Sequence, residues 1–338
     1  MRVLIVRLSA MGDLVHTLPA ITDAKNARPD VTIDWVVDEA FADVPRMHPG
    51  VDRIIISTLR SSGGSRQITN FLSELRREKY DLIVDLQGIF KSATTAALAR
   101  GQKAGYASSD IHEWGAHVFY SSKFRVDPGQ HSLQRMRQLL ASALGYSYDR
   151  DQIDYGVSRL LLPTVDLPLP DPYLVFVHST SWASKNWPID HWRHLVSLAR
   201  SAGNTVVLPW GSETERLRSV QLAGSDGGIR VLPQMSIAEK AAIISGAAGT
   251  IGLDTGLSHI AAAFDIPSVT LYGPTDPTRV GATGRHQTHL VPDFRCLYCH
   301  KEICRLDGIE RELPQCLDRV TATEVWNCTA ENLGDAAG

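Results

Sequence analysis

Residues 251–259, IGLDTGLSH, read as a strand that ends on a carboxylate and a hydroxyl, turns at a glycine and enters an apolar helix. Such a turn offers unpaired backbone N–H groups and the positive end of a helix dipole, and Gly256 lets an oxygen approach the chain closely. The chemistry this suits is phosphate binding, with Thr255 capping the helix or bonding an oxygen and His259 in the first turn beside it. A plain capped turn with a core histidine explains the stretch alone equally well. The PTDP turn at residues 274–277 lies at the same sheet edge, where open α/β sheets bind ligands, and shifts the balance toward a ligand.

Asp13 stands at another strand–helix turn, after RLSAMG at residues 7–12. One glycine cannot make the approach of a G-x-G-x-x-G fingerprint, and a carboxylate there repels phosphate. Asp13 therefore suits a hydroxyl, as a general base taking a proton from an alcohol, or serves as an ordinary helix cap. No neighbouring carboxylate or histidine cluster completes a metal shell around it. Farther on, HSTSWASKNWP at residues 178–188 carries Lys185, a counter-charge for a diphosphate or else a solvated loop cation. Residues 209–215, PWGSETE, put Glu213 and Glu215 where an acidic group reads ribose hydroxyls.

The elements that must hold these residues are legible as short apolar runs at 3–6, 33–37, 81–85, 173–177, 205–208, 250–253 and 268–272, alternating with amphipathic stretches. Continuous runs of that length predict parallel strands covered on both faces, a doubly wound α/β arrangement formed twice. Four prolines between residues 160 and 172 mark an extended linker. One domain is thus expected over 1–160 and a second over 170–319, with the ligand site in a cleft between them. A helix is expected over 131–144, with Leu133, Met136, Leu140 and Leu144 on one side. A last helix, from about 320 to 338, begins at the capping-box pair Thr321 and Glu324.

The 338 residues carry 34 basic and 37 acidic side chains, a formal net charge of −3 with both signs intermixed. That excludes the basic field that nucleic acid binding needs. No signal-peptide core precedes the first strand and no apolar run reaches the roughly 20 residues of a membrane span. A cytoplasmic protein with reduced cysteines is expected.

Four segments in order, SAMGDLVHTLP (9–19), KNWPIDHWR (185–193), LPWG (208–211) and DTGLSH (254–259), resemble the lipopolysaccharide heptosyltransferases of glycosyltransferase family 9, and among them the branch adding the first heptose. The resemblance spans nearly the whole chain. It implies a GT-B fold of two Rossmann-like domains, the first for acceptor and the second for donor, with the last helix packing back on the first. It implies inverting transfer of L-glycero-D-manno-heptose from ADP-L-glycero-D-manno-heptose to the Kdo of Kdo2-lipid A, without a cofactor, by a monomer that touches the inner membrane only peripherally. In residue terms it makes Asp13 the catalytic base and Lys185 the diphosphate partner. Glu215, preferred to Glu213, would hold the ribose, and Thr180, Ser181, Met235, Asp254, Thr255, Gly256, Leu257 and His259 would complete the donor pocket.

For the acceptor, Arg60 and Arg66 in the Ser/Gly-rich stretch 58–66, with Lys91, Arg135 and Arg137, are cations suited to Kdo carboxylates and lipid phosphates. The tail departs from the resemblance in Cys296, Cys299, Cys304 and Cys316, whose CxxC start suits zinc although the later spacing is irregular. Rival readings are transfer of the second or another inner-core heptose, a sugar-nucleotide epimerase, and a non-catalytic nucleotide-sugar or lipopolysaccharide binder in which Asp13 is dispensable.

Overall fold

The structure, a computed structural model, describes residues 1–58, 65–311 and 313–337. The chain divides into two compact units, Met1–Leu161 and Leu162–Gly338, with the boundary inside the proline-rich stretch.

The first unit runs β1 (Arg2–Val6), α1 (Met11–Ala27), β2 (Thr32–Asp38), α2 (Asp43–Arg46), β3 (Arg53–Ser57), α3 (Ser65–Arg76), β4 (Lys79–Asp85), α4 (Phe90–Leu98), β5 (Arg100–Tyr106), β6 (Ser122–Phe124) and α5 (Ser132–Leu144). Its six strands form one parallel sheet, ordered β3-β2-β1-β4-β5-β6. The apolar run of β1 is central because both its faces are covered, Leu4 and Val6 packing with Val36, Ile55, Phe71 and Leu75. The expected helix over 131–144 is α5, whose Leu133, Met136, Leu140 and Leu144 are all buried, with His131 at its N-cap.

The second unit repeats the plan with β7 (Tyr173–Val177), α6 (Ile189–Ser201), β8 (Thr205–Leu208), α7 (Glu213–Ala223), β9 (Ile229–Val231), α8 (Ile237–Ser245), β10 (Gly249–Leu253), α9 (Gly256–Ala263), β11 (Ser268–Leu271), α10 (Pro277–Val280) and β12 (Gln287–Leu290). The sheet is again parallel, ordered β12-β11-β10-β7-β8-β9. A hairpin of β13 (Cys304–Leu306) and β14 (Ile309–Arg311) precedes the last helix, α11 (Ala322–Ala337). In a parallel sheet all carboxyl ends lie on one edge, so the turns after β7, β8, β9 and β10 are brought side by side.

The last helix, α11, joins the core of the second unit. Its apolar side, with Ala322, Val325 and Leu333, joins the core of Trp187, Trp192, Leu195 and Val269 within the second unit. Asn332 donates to the carbonyls of Ser268 (3.0 Å) and His286 (3.2 Å), tying the helix to the β11 side of that sheet.

Candidate active site

On the second unit, β10 delivers Asp254 and Thr255 to the sheet edge and α9 starts at Gly256. Gly252 is needed just before: a Cβ there would meet the Ser258 Oγ at 2.8 Å and the Val177 Cβ at 2.9 Å, so only glycine lets Ser258 fold back to donate to the Leu253 carbonyl at 2.7 Å. Asp254, 6% exposed, is the hub. Its Oδ2 accepts from the Lys185 ammonium (2.7 Å) and the Thr275 hydroxyl (2.6 Å), and the His259 Nε2 lies 3.5 Å from its Oδ1. Burial alone would raise this carboxyl's pKa. The hydrogen bond from His259 and the charge of Lys185 outweigh it and hold the group well below the usual carboxylate range.

Thr255 is the N-cap of α9 by backbone geometry, yet its side chain makes no capping bond, and its buried Oγ1 has no partner among the described residues. The helix N-terminus therefore keeps the donors a phosphate would use. Lys185, from a short 3-10 turn after β7, also sits over the Trp182 ring at 4.6 Å. Thr180 is half-buried and Ser181 exposed in the same β7 loop, beside the end of β10.

Next along the edge, Glu215 closes a capping box on α7: it accepts from the Gly211 N–H (2.5 Å) and the Ser212 N–H (3.1 Å), while the Ser212 hydroxyl accepts from its own N–H. Glu213 points out and pairs with Arg216 at 2.7 Å. Glu215 is thus the carboxylate anchored at the strand edge. Met235 is half-buried in the turn between β9 and α8. Lys185, Asp254, His259 and Thr275 meet directly, and Glu215 and Met235 occupy neighbouring turns of the same edge. The sequence reading named Thr275 only as part of a turn.

In the first unit Asp13 occupies the first turn of α1 but caps nothing; the N-cap is Ala10. Its Oδ2 instead pairs with the Arg7 guanidinium at 2.6 Å, and its Oδ1 receives the Ser132 hydroxyl at 3.4 Å. Arg7 is buried and also donates to the Leu86 carbonyl at 3.0 Å, so it is a fixed cation that fixes the carboxylate. The sequence reading missed Arg7 in this part although it stands six residues before Asp13, because strand and turn must fold to bring the two together.

The acceptor candidates divide. Arg60 lies outside the described residues. Arg66 is exposed on α3, and Lys91 on α4 pairs with Asp38 at 2.9 Å. Arg135 donates to the Asp110 carbonyl and lies over the Tyr106 ring at 5.0 Å. Arg137 is corrected: it is 1% exposed, paired with Asp23 through Nε (2.6 Å) and Nη2 (3.1 Å), and bonded to the carbonyls of Asp149, Arg150 and Gln152. Its donors are consumed in clamping the 149–152 segment to α1 and α5, and none faces solvent.

The cysteines of the tail lie near enough to one another for their charges to act on the Cys316 thiol. Among the described residues no three histidine, cysteine or carboxylate side chains are gathered as metal ligands. Burial first, and then the neighbouring Cys296, Cys304 and Cys299, push the Cys316 thiol up to about 11.

The glycosyltransferase family 9 (heptosyltransferase) model matches residues 68–310. Lipopolysaccharide heptosyltransferase 1 of Pseudomonas aeruginosa is 40% identical over 96% of this chain and 96% of its own. Among solved structures, the Escherichia coli heptosyltransferase WaaC with ADP is 37% identical and superposes with a TM-score of 0.85, over 98% of this chain and all of that one. The same enzyme with ADP-2-deoxy-2-fluoro heptose gives 0.82 over the same shares. Two parallel α/β units, a phosphate-ready helix N-terminus on the second and this similarity along the whole length agree: the chain belongs to glycosyltransferase family 9, the heptosyltransferases, and is a glycosyltransferase of GT-B type.

Proposed function

We propose that this enzyme moves L-glycero-D-manno-heptose from ADP-heptose to the Kdo of Kdo2-lipid A, with the second unit holding the donor and the first supplying the base. The observation that carries the donor half is the Asp254 hub, which fixes Lys185 and His259 beside the unspent N–H groups and Thr255 hydroxyl of α9. Lys185 and that helix end stabilise the diphosphate as it leaves. Thr180 and Ser181 border the phosphates, Glu215 accepts from the ribose hydroxyls and Met235 lines the base. Asp254, Gly256 and Leu257 shape the turn.

The reaction is a single inverting displacement. A Kdo hydroxyl attacks the anomeric carbon, the new C–O bond forms as the C–O bond to the β-phosphate breaks, ADP takes the electron pair, and Asp13 takes the hydroxyl proton. Arg7 holds the carboxylate in the orientation the proton transfer needs. Arg66, Lys91 and Arg135 are the cations of the first unit that remain for the acceptor's acidic groups, together with Arg60. No described helix is long and apolar enough to cross a membrane, so we place contact with the lipid acceptor peripherally at the cytoplasmic face of the inner membrane, by a monomer.

Asp13→Ala should stay folded, bind ADP as the wild type does, and lose roughly 10²–10⁴-fold in kcat. ADP release is measured with Kdo2-lipid A and, separately, with its heptosylated product. Turnover of the variant near the wild-type rate removes Asp13 as base, and turnover of the wild type only on the heptosylated product removes the assigned acceptor.

A further inference from the structure

Two turns of the second unit hold the partners of Asp254, and both are short. Lys185 belongs to a 3-10 turn of three residues, Ala183–Lys185, that has no side-chain cap, and Thr275 belongs to the turn after β11. Elements of that length carry few bonds of their own, so what they touch sets their geometry. Lys185 donates to the Asp254 Oδ2 at 2.7 Å, and Thr275 to the same oxygen at 2.6 Å.

One stretch of the cysteine-bearing tail, residues 298–302, bonds both turns. Tyr298 donates its N–H to the Gly273 carbonyl and His300 donates its own to the Pro274 carbonyl, each at 2.9 Å. Both residues are left-handed, with φ of 57° and 51°, a backbone that a side chain of this size adopts only where its surroundings impose it. At the other end, the Glu302 carbonyl accepts from the Ser184 N–H at 3.0 Å, and the Lys301 carbonyl accepts from the Ser184 hydroxyl. Ser184 directly precedes Lys185 and is only 2% exposed, so water does not readily replace those bonds. The stretch therefore reaches from the turn of Thr275 to the turn of Lys185, the two segments that meet at the Asp254 carboxylate.

We propose that residues 298–302 are a strap that positions the donor site, and that Ser184 is the positioning residue through which the strap holds Lys185. This rests on the second unit being the ADP-heptose site. Asp254 fixes the ammonium of Lys185, and the strap, through both bonds of Ser184, fixes the backbone from which that long side chain extends. The Ser184 hydroxyl is spent on the tail, so it acts on a diphosphate only through its neighbour. A cation ordered before the nucleotide arrives spares binding the entropy of ordering it afterwards.

The test is a binding cycle of Ser184→Ala, Lys185→Met and the double variant, measured by calorimetry with ADP and with adenosine. Ser184→Ala should bind ADP roughly tenfold more weakly than the wild type and bind adenosine, which has no diphosphate, equally well. On the Lys185→Met background the same substitution should cost little further, because the cation it positions is gone. ADP binding by Ser184→Ala equal to the wild type's overturns the proposal. So does the full loss repeated on the Lys185→Met background, which would mean that Ser184 acts by another route, and so does an equal loss with adenosine, which would mean general damage to the pocket. If Ser184→Ala is poorly folded, Ser184→Cys, of nearly the same size, takes its place with the same criteria. Failure of the wild type itself to bind ADP would instead remove the donor reading on which the proposal rests.

Discussion

Replacing Asp254 by asparagine keeps the shape of the hub and removes its charge. In the wild type the carboxylate is buried and holds Lys185 at 2.7 Å and Thr275 at 2.6 Å. Lys185 has a side chain 16% exposed, so loss of its partner leaves a mostly buried cation unmatched. Breaking a buried pair from one side costs about 3–5 kcal/mol. Because some water reaches Lys185, the lower end applies, about 3 kcal/mol; at roughly 2–4 °C per kcal/mol for a unit of this size, the melting temperature should fall by roughly 10 °C. The cycle Asp254→Asn, Lys185→Met and the double variant, followed by calorimetric unfolding at pH 7, isolates the pair. The double variant should be at least as stable as Asp254→Asn, since it no longer buries an orphan charge. The pH dependence has a definite sign. A carboxyl held below its unfolded value stabilises the fold above about pH 4 and loses that contribution as pH falls toward its folded value, so the gap between wild type and Asp254→Asn should narrow in acid. Single-variant losses that add in the double variant to within about 0.5 kcal/mol would refute the hub as a coupled unit.

Two further outcomes follow from groups outside that hub. Arg137→Met should cost about 3–5 kcal/mol of stability in the first unit, by orphaning Asp23 and three carbonyls, while leaving the KM for acceptor unchanged below the melting transition; a large rise in that KM would restore Arg137 to the acceptor site. His178 bonds the Ser219 hydroxyl at 2.8 Å and, by burial first and the charge of Arg218 second, has its pKa lowered to about 3. Its neutral form therefore stabilises the fold fully above about pH 6.5, and that contribution is lost as pH falls toward 3. His178→Gln should flatten the fall in melting temperature across that window, and an unchanged slope contradicts the assignment.

How far the sequence carries depends on how local the determinant is. Seven apolar runs became seven of the strands, and the Thr321 signal marked the start of α11, where the Thr321 hydroxyl accepts from the Glu324 N–H at 3.2 Å. The strands passed over are β3, β5, β6, β9, β12, β13 and β14. Six of these are polar, glycine-containing or three residues long, whereas Ile54, Ile55 and Ile56 of β3 carried a signal that could have been used. Lys185, Asp254 and His259 were legible because residue types at turns imply phosphate chemistry. What escaped depends on pairing across the chain. Arg137 has the surface pattern of a solvated cation until Asp23, more than a hundred residues earlier, is folded against it.

With α11 on its own sheet, each unit is one uninterrupted length of polypeptide. Recombination between family members then needs a single crossover within residues 160–172, where no strand or α-helix would be cut. The placement of the sixteen residues of α11 within the second unit thus makes that unit a heritable module, open to replacement without rebuilding the one that carries Asp13.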